Sequence, residues 1–149
     1  MLSYPDLKVI SHLRNNSREK ITKISRKEKI PVTTLYDKIR AQEKKGIIIK
    51  HITLLNFAKL GYHTRAVLAV TVGVEKREQL KTYLMSHPNV NSLYRVDAGN
   101  DFIFEVVFED TSKLQEFIDK TELLFAPFMI KTYNILQELR KEEFLTTLS

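Results

Sequence analysis

The chain has 149 residues and a formal net charge of +6, with 43% hydrophobic and 28% charged residues. This balance is typical of a soluble chain with one domain or two small ones and excludes intrinsic disorder. The sequence has no cysteine, which excludes disulfides, thiolate metal sites and a cysteine nucleophile. No apolar run is long enough for a transmembrane helix, and the first residues lack a secretion signal. We therefore expect a cytoplasmic protein that does not act on a membrane.

Charge is distributed unevenly along the chain. Residues 1–60 carry ten lysines and four arginines against five acidic residues, a formal charge of +9. Residues 61–149 carry ten basic and thirteen acidic residues, a formal charge of −3. A basic part joined to an acidic remainder predicts two functional parts, and small basic modules often bind a polyanion. A basic surface that serves only solubility is the alternative.

The first predicted helix begins with a capping box formed by Ser3 and Asp6. Its apolar residues recur at helical spacing, so we expect Leu7, Ile10 and Leu13 to form the inward face.

Two further helices and a strand follow in the basic part. The pattern predicts a second helix over residues 17–28, a connection at 29–31 and a third helix over residues 32–45. Gly46 stands where the residue after a helix usually adopts a positive φ. The isoleucine-rich residues 47–52 predict the strand of a wing.

Two short helices joined by about three residues are typical of a helix-turn-helix, whose second helix enters the DNA major groove. Residues 1–50 are therefore predicted to form a winged helix-turn-helix DNA-binding domain. Thr33 and Thr34 lie in the first turn of the third helix, from which hydroxyl and methyl groups can reach base edges. Phosphate contacts are predicted for Arg18, Lys20, Lys23, Lys38, Arg40, Lys44, Lys45, Lys50 and His51. A plain three-helix bundle is the alternative.

The remaining residues, 64–149, are predicted to form a second domain, joined to the first by a linker strand and turn at 51–63. Strands are predicted at 64–74, 90–97, 102–108 and 128–138, with a bulge in the last. Helices are predicted at 75–86 and from a capping box at Ser112 onward. The order βαββαβ predicts a ferredoxin-like α+β sheet with both helices on one face.

The other face of this sheet would expose a contiguous apolar surface, which predicts a homodimer formed sheet to sheet. Partial cover by the tail, residues 142–145, is the alternative.

The ordered segments 29–39, 46–48 and 59–62 resemble the Lrp/AsnC (feast/famine) family of transcriptional regulators. The resemblance covers nearly the whole chain and implies a winged helix-turn-helix followed by an effector domain. It also implies binding of pseudo-palindromic double-stranded DNA by a homodimer, often assembled into larger rings such as an octamer. Base readout is implied for the residues that match the recognition helix, namely Thr33, Thr34, Asp37, Lys38 and Ala41.

Four residues depart from the family pattern. Pro31 replaces the usual polar cap of the third helix, and Asp37 stands where basic residues are common. Gln42 and Glu28 occupy positions where apolar core residues are expected. We therefore expect a looser helix-turn-helix core.

The turn at 97–102 resembles the glycine-containing turn that lines an amino-acid cleft in the family, although its glycine stands one place later. The resemblance implies an amino-acid effector bound by Gly99, Asn100 and Asp101, and no other cofactor. A hairpin that uses glycine and asparagine only for their backbone freedom is the alternative.

The four histidines show no metal-ligand spacing, and the sequence contains no nucleophile elbow, P-loop or dinucleotide motif. We therefore expect neither a metal site nor an enzyme. The main hypothesis is a sequence-specific transcriptional regulator. One alternative is a sensor or accessory module whose basic half binds RNA or protein, although few aromatic residues there disfavour RNA. An architectural, sequence-tolerant DNA binder is the other.

Overall fold

A computed structural model describes residues 1–126 and 128–148 and divides the chain into two compact units. The first unit, here called the head, contains Met1–Leu54 together with the tail that begins at Leu139. The second unit, the sheet domain, contains Leu55–Glu138. The sequence had placed the tail in the second domain.

The tail belongs to the head because its backbone is hydrogen-bonded to side chains of the first helix. Arg14 Nε donates to the Phe144 carbonyl at 2.8 Å, and Ser11 Oγ donates to the Thr146 carbonyl at 2.9 Å. Asn15 Nδ2 donates to the same Thr146 carbonyl. Residues 142–145, for which the sequence left open a role in covering the sheet, thus belong to the head.

The head contains three helices, α1 (Tyr4–Asn15), α2 (Ile21–Glu28) and α3 (Val32–Lys44). Its core is built from one or two apolar side chains of each helix, namely Val9, Ile24, Leu35 and Ile39. The predicted inward face of α1 is shifted by this arrangement. Val9 is the buried residue of that helix, whereas Leu7, Ile10 and Leu13 are half-buried. The reason is that Val9 is the α1 side chain at the centre of the cluster formed with α2 and α3.

The helix ends follow local hydrogen bonding. Ser3 caps α1 as predicted, with its hydroxyl accepting from the Asp6 amide at 3.3 Å. The second helix begins at Ile21, four residues later than the predicted start at residue 17. Asn16 Oδ1 accepts from the Arg18 amide at 3.0 Å, which holds the chain in a turn before the helix can start.

The C-terminus of α3 closes as the sequence predicted. Gly46 has a φ of +74°, and the Ile47 amide donates back to the Gln42 carbonyl at 2.9 Å. Residues 47–56, however, form no strand, so the predicted wing and linker strands are wrong. The described residues contain a single four-stranded sheet, drawn wholly from the sheet domain, so this isoleucine-rich segment has no neighbouring strand in its own chain.

The sheet domain contains strands β1 (Thr64–Val72), β2 (Val90–Arg95), β3 (Phe102–Phe108) and β4 (Phe128–Asn134). Helix α4 (Arg77–Ser86) follows β1, and helix α5 (Thr111–Phe125) follows β3. The strand order β2-β3-β1-β4, antiparallel throughout, is that of the predicted ferredoxin-like sheet.

Alternating apolar residues of the central strands face the helices, as their spacing predicted. The core contains Ala66, Leu68, Val70 and Val72 of β1, Phe102, Phe104, Val106 and Phe108 of β3, Leu80 and Leu84 of α4, and Leu114, Phe117, Ile118 and Phe125 of α5.

The predicted bulge in β4 is wrong. The β1–β4 register runs without a shift from the Val72–Phe128 pair to the Ala66–Asn134 pair, and Tyr133 lies on the face opposite the core. The irregularity of the sheet lies in β2 instead, between Val90 and Ser92.

Helix α5 is capped two residues earlier than predicted. Asp110 Oδ1 accepts from the Lys113 amide at 2.9 Å, so Asp110 rather than Ser112 is the N-cap. The Lys113 amide and the Ser112 hydroxyl together lower the pKa of Asp110, because both hydrogen bonds favour its charged form.

Candidate nucleic-acid interface and effector turn

The outer face of α3 is polar and exposed, as expected of a helix that contacts DNA. Thr33, Thr34 and Asp37 are exposed, whereas Leu35 and Ile39 on the opposite face are buried in the head core. Two of the five residues predicted to read bases are thus exposed in the first turn of α3, where a recognition helix reaches base edges.

Lys38 is directed towards α1. Its Nζ lies 3.1 Å from Asp6 Oδ1, and the two side chains are 28% and 17% exposed. The pKa of Asp6 is held below its usual value by the Ser3 hydroxyl and then by the Lys38 ammonium group. Ala41, the fifth predicted reader, is half-buried. The structure therefore separates Lys38 from the exposed line of α3 and pairs it within the head.

The basic residues proposed for phosphate contact form an exposed set on the head. Two of them have acidic partners in the same unit: Lys23 Nζ lies 3.1 Å from Glu19, and His51 Nε2 lies 3.3 Å from Glu43. The exposed set comprises Arg18, Lys20, Lys23, Arg40, Lys44, Lys45, Lys50 and His51.

The two polar residues at expected core positions have different surroundings. Glu28 accepts from His12 Nε2 at 2.8 Å and lies 3.4 Å from Lys8 Nζ. The His12 hydrogen bond, followed by that of Lys8, lowers the pKa of Glu28 against the opposing effect of burial. Gln42 is only 4% exposed, and its Oε1 has no hydrogen-bond partner among the described residues. Of these two residues, Gln42 is therefore the one that places an unpaired polar atom in the core.

Tyr36 was not among the α3 residues predicted from the sequence to contact DNA. It is 47% exposed, and the Arg40 guanidinium carbon lies 6.0 Å from its ring centroid. The signal in the sequence was the four-residue spacing of an aromatic residue and an arginine, which places both side chains on one helix face.

In the predicted effector turn, the carboxylate of Asp101 is bound to its own chain. Asp101 is 7% exposed; its Oδ2 accepts from the Val72 amide at 2.8 Å, and its Oδ1 accepts from Arg77 Nε at 3.0 Å. These bonds fix the turn to the end of β1 and the start of α4. Asn100 is half-buried and Gly99 is exposed, so these two residues lie nearer the surface than Asp101.

The turn also has an unusual backbone. Ala98 has a φ of +60° and Gly99 a φ of +94°, and the Gly99 carbonyl accepts from the Thr71 hydroxyl at 3.0 Å. Because the glycine of this turn stands one place later than in the family pattern, the residue before it, Ala98, also adopts a left-handed backbone conformation.

The face of the sheet opposite α4 and α5 is only partly covered by the sheet domain: the Phe57 ring lies over Arg65, and Ala69 and Val107 are buried. We call it the open face. Several of its apolar side chains are well exposed, including Tyr94 at 61%, Met129 at 75% and Tyr133 at 49%. The open face comprises Arg65, Val67, Ala69, Thr71, Ser92, Tyr94, Ile103, Glu105, Val107, Met129, Lys131 and Tyr133.

One end of the open face carries an ionic cluster. The Arg65 guanidinium lies 2.9 Å from Glu105 and 2.8 Å from Glu138. Burial lowers the pKa of Arg65, but the Glu138 and Glu105 carboxylates outweigh it, so the net change is upward. This end of the face is thus charged and internally paired, and the rest is largely apolar.

Among the described residues there is no group of three or more acidic or histidine side chains placed to hold a metal ion. The described helices are all too short or too polar to cross a membrane.

Comparison with known proteins identifies the sheet domain. The family model described as the Lrp/AsnC ligand binding domain matches residues 65–142. The transcriptional regulator LrpC of Bacillus subtilis is 27% identical over 116 residues, which is 78% of this chain and 81% of LrpC. An uncharacterised HTH-type transcriptional regulator of Pyrococcus furiosus is 26% identical over 139 residues, 93% of each chain.

Solved structures extend the similarity to both units. The structure of B. subtilis LrpC superposes with a TM-score of 0.85 at 26% identity and covers 94% of this chain and 98% of LrpC. A transcriptional regulator of Neisseria meningitidis, solved in complex with L-Met, shares the fold with a TM-score of 0.87 at 19% identity. That alignment covers 95% of this chain and 94% of the other.

Proposed function

Because the chain belongs to the Lrp/AsnC family, we propose that it is a sequence-specific, DNA-binding transcriptional regulator that acts in the cytoplasm as a homodimer. The observation that carries the proposal is the exposed, polar face of α3 in a basic helix-turn-helix head. Regulators similar in sequence and in structure support the assignment.

The DNA contact is assigned to the head. Thr33 and Thr34 lie in the first turn of α3, where the end of a recognition helix approaches base edges. The exposed lysines and arginines around it supply the phosphate contacts that fix the position of the helix on the duplex.

The homodimer is assigned to the open face of the sheet. A two-fold contact between two such faces would bury the exposed Tyr94, Met129 and Tyr133 side chains. Two heads in one particle would read two half-sites of a pseudo-palindromic operator, and larger rings would place further pairs of heads on longer DNA.

An amino-acid effector is the finer part of the proposal. The family model that covers the turn is that of a ligand binding domain, and the N. meningitidis regulator was solved with L-Met. We assign ligand contact to Gly99 and Asn100, and we assign to Asp101 the positioning of the turn, since its carboxylate is bound to Val72 and Arg77. Calorimetric titration with single amino acids, on the native chain and on Asn100→Ala, tests this part.

The DNA-binding role is tested by selecting an operator from random duplexes and measuring affinity against salt concentration. The logarithm of the affinity should fall steeply with the logarithm of the salt concentration. Thr34→Ala should cost about 1–3 kcal/mol and relax preference at one base pair, whereas Lys44→Ala should weaken all sequences alike and lower the salt slope by about 1.

Lys113→Ala, on the surface of the sheet domain, is the matched control and should leave affinity and salt slope unchanged. A flat salt dependence, or affinity retained in both head variants, would contradict the assignment. Selection of single-stranded RNA in preference to duplex DNA would favour an RNA-binding module. Binding without any selected sequence would favour an architectural role.

A further inference from the structure

Two side chains on α3 form a pair that the sequence analysis did not assign to base readout. Tyr36 and Arg40 are four residues apart, both are exposed, and the Arg40 guanidinium carbon lies 6.0 Å from the centroid of the Tyr36 ring. Arg40 had been predicted to contact phosphate, and Tyr36 had no predicted role.

Of the two long basic side chains near the middle of α3, Arg40 lies closer than Lys38 to the centre of the outward face of the helix. An α-helix turns by about 100° per residue. The buried line of α3 passes through Leu35, Ile39 and Gln42. The opposite line therefore passes through Thr33, Asp37, Arg40 and Lys44, and Lys38 falls towards the boundary with α1.

The ion pairs of the head agree with this geometry. Lys38 Nζ is bound to Asp6 of α1 at 3.1 Å, and its side chain is 28% exposed. Arg40 forms no ion pair with any carboxylate in the described part of the chain. The cation that lies outward is therefore also the one whose donors are available to a partner.

We propose that Arg40, steered by the ring of Tyr36, reads a guanine of the operator, and that Lys38 positions α3 against α1. The proposal rests on the DNA-binding function proposed above. A guanidinium presents two parallel N–H groups that match the O6 and N7 acceptors of guanine in the major groove. A ring beside the guanidinium restricts its motion, so less side-chain entropy is lost when both bonds form.

Operator selection with matched variants tests the proposal. The operator selected by the native chain should contain an invariant guanine in each half-site. Arg40→Ala should lower the discrimination at that position by about 5- to 150-fold and leave the other positions of the motif unchanged. Arg40→Lys should lose most of the same discrimination, because an ammonium group cannot form the two parallel bonds.

The ring is tested separately from the cation. Tyr36→Phe retains the aromatic face and should keep the selected guanine, whereas Tyr36→Leu removes that face at similar bulk and should weaken the preference. Lys38→Ala should lower the unfolding temperature and weaken all sequences alike with the motif intact, and Lys38→Arg should restore both properties. Circular dichroism confirms the fold of each variant before selection.

Three results would overturn the inference. If Arg40→Ala weakens every sequence equally and lowers the salt slope by about 1, Arg40 is a phosphate contact, and the DNA-binding function stands. If Lys38→Ala changes the preferred base at one position, Lys38 is the reader. If the native chain selects no motif at all, the proposed sequence-specific function fails, and this inference fails with it.

Discussion

Single ionisable side chains in the head link its helices and make its stability dependent on pH. Asp6 joins α1 to α3 through Lys38, and Glu28 joins α2 to α1 through His12 and Lys8. Both carboxyl groups have a lower pKa in the fold than their ordinary values of 3.8 and 4.5. The folded head therefore binds fewer protons than the unfolded chain in this range of pH.

The head should lose stability as the pH falls into the acidic range. The stabilisation is fully present above the ordinary pKa values and is lost as the pH falls below them, through the lower values of the folded state. Asp6→Asn should therefore reduce stability at neutral pH and flatten its loss below about pH 4. Urea unfolding at a series of pH values measures this, with Asp97→Asn, an exposed acid of the sheet domain, as control. Equal acid sensitivity in Asp6→Asn and the native chain would contradict it.

At the scale of elements, the turn between β2 and β3 contains a strained backbone position that a substitution should relieve. Ala98 has a φ of +60°, a left-handed conformation that costs an ordinary L-residue about 1–2 kcal/mol. Ala98→Gly should remove most of this cost and raise the free energy of unfolding by about 1 kcal/mol, less the larger entropy of glycine in the unfolded chain. Gly99→Ala, at a φ of +94°, should lower it. Chemical denaturation measures both, and destabilisation by Ala98→Gly would contradict the argument.

The elements that the sequence predicted best are those whose pattern is set by burial on one side. The alternation in β1 and β3 correctly predicted which side chains face the helices, because the core imposes a period of two on both strands. Ser3 and Gly46 likewise marked helix ends, because their effect is local. The residues proposed to read the operator were assigned partly from the family pattern. The sequence alone could not show that Lys38 is bound to Asp6 and does not face outward, because that depends on how α1 packs against α3.

The errors arose where the outcome depends on contacts distant in sequence. The isoleucines of residues 47–52 have strand propensity, but a strand needs a partner, and none is supplied by the head of the same chain. Tyr133 suggested a bulge in β4 because an exposed aromatic residue on the open face looks like a change of parity. The cap of α5 is an error of a different, local kind: Asp110 and Ser112 both have side chains that can cap a helix, and it is the Asp110 carboxylate that accepts from the Lys113 amide.

The open face makes the oligomeric state a prediction for the whole molecule. Val67 lies near the middle of this face, beside Glu105 and Tyr133 on the neighbouring strands. Val67→Glu should place like charges across a two-fold contact and convert the proposed dimer to a particle of 17.4 kDa. Operator affinity should fall with it, because each particle would then carry one head.

Light scattering at micromolar concentration measures the mass. Leu123→Glu, on an exposed position of α5, is the control and should leave the dimer intact. A native particle of 17.4 kDa, or an unchanged mass for Val67→Glu, would show that the open face is not the interface.

The return of the tail to α1 gives the head two covalent connections to the rest of the chain. The backbone leaves the head after Leu54 and re-enters it at Leu139, where Arg14, Ser11 and Asn15 bind the tail. Most side chains of residues 47–56 are exposed, and the segment has no regular structure, so a protease would cleave there first. The severed helical fragment would remain bound to the tail and co-elute with the larger piece, separating from it only in denaturant.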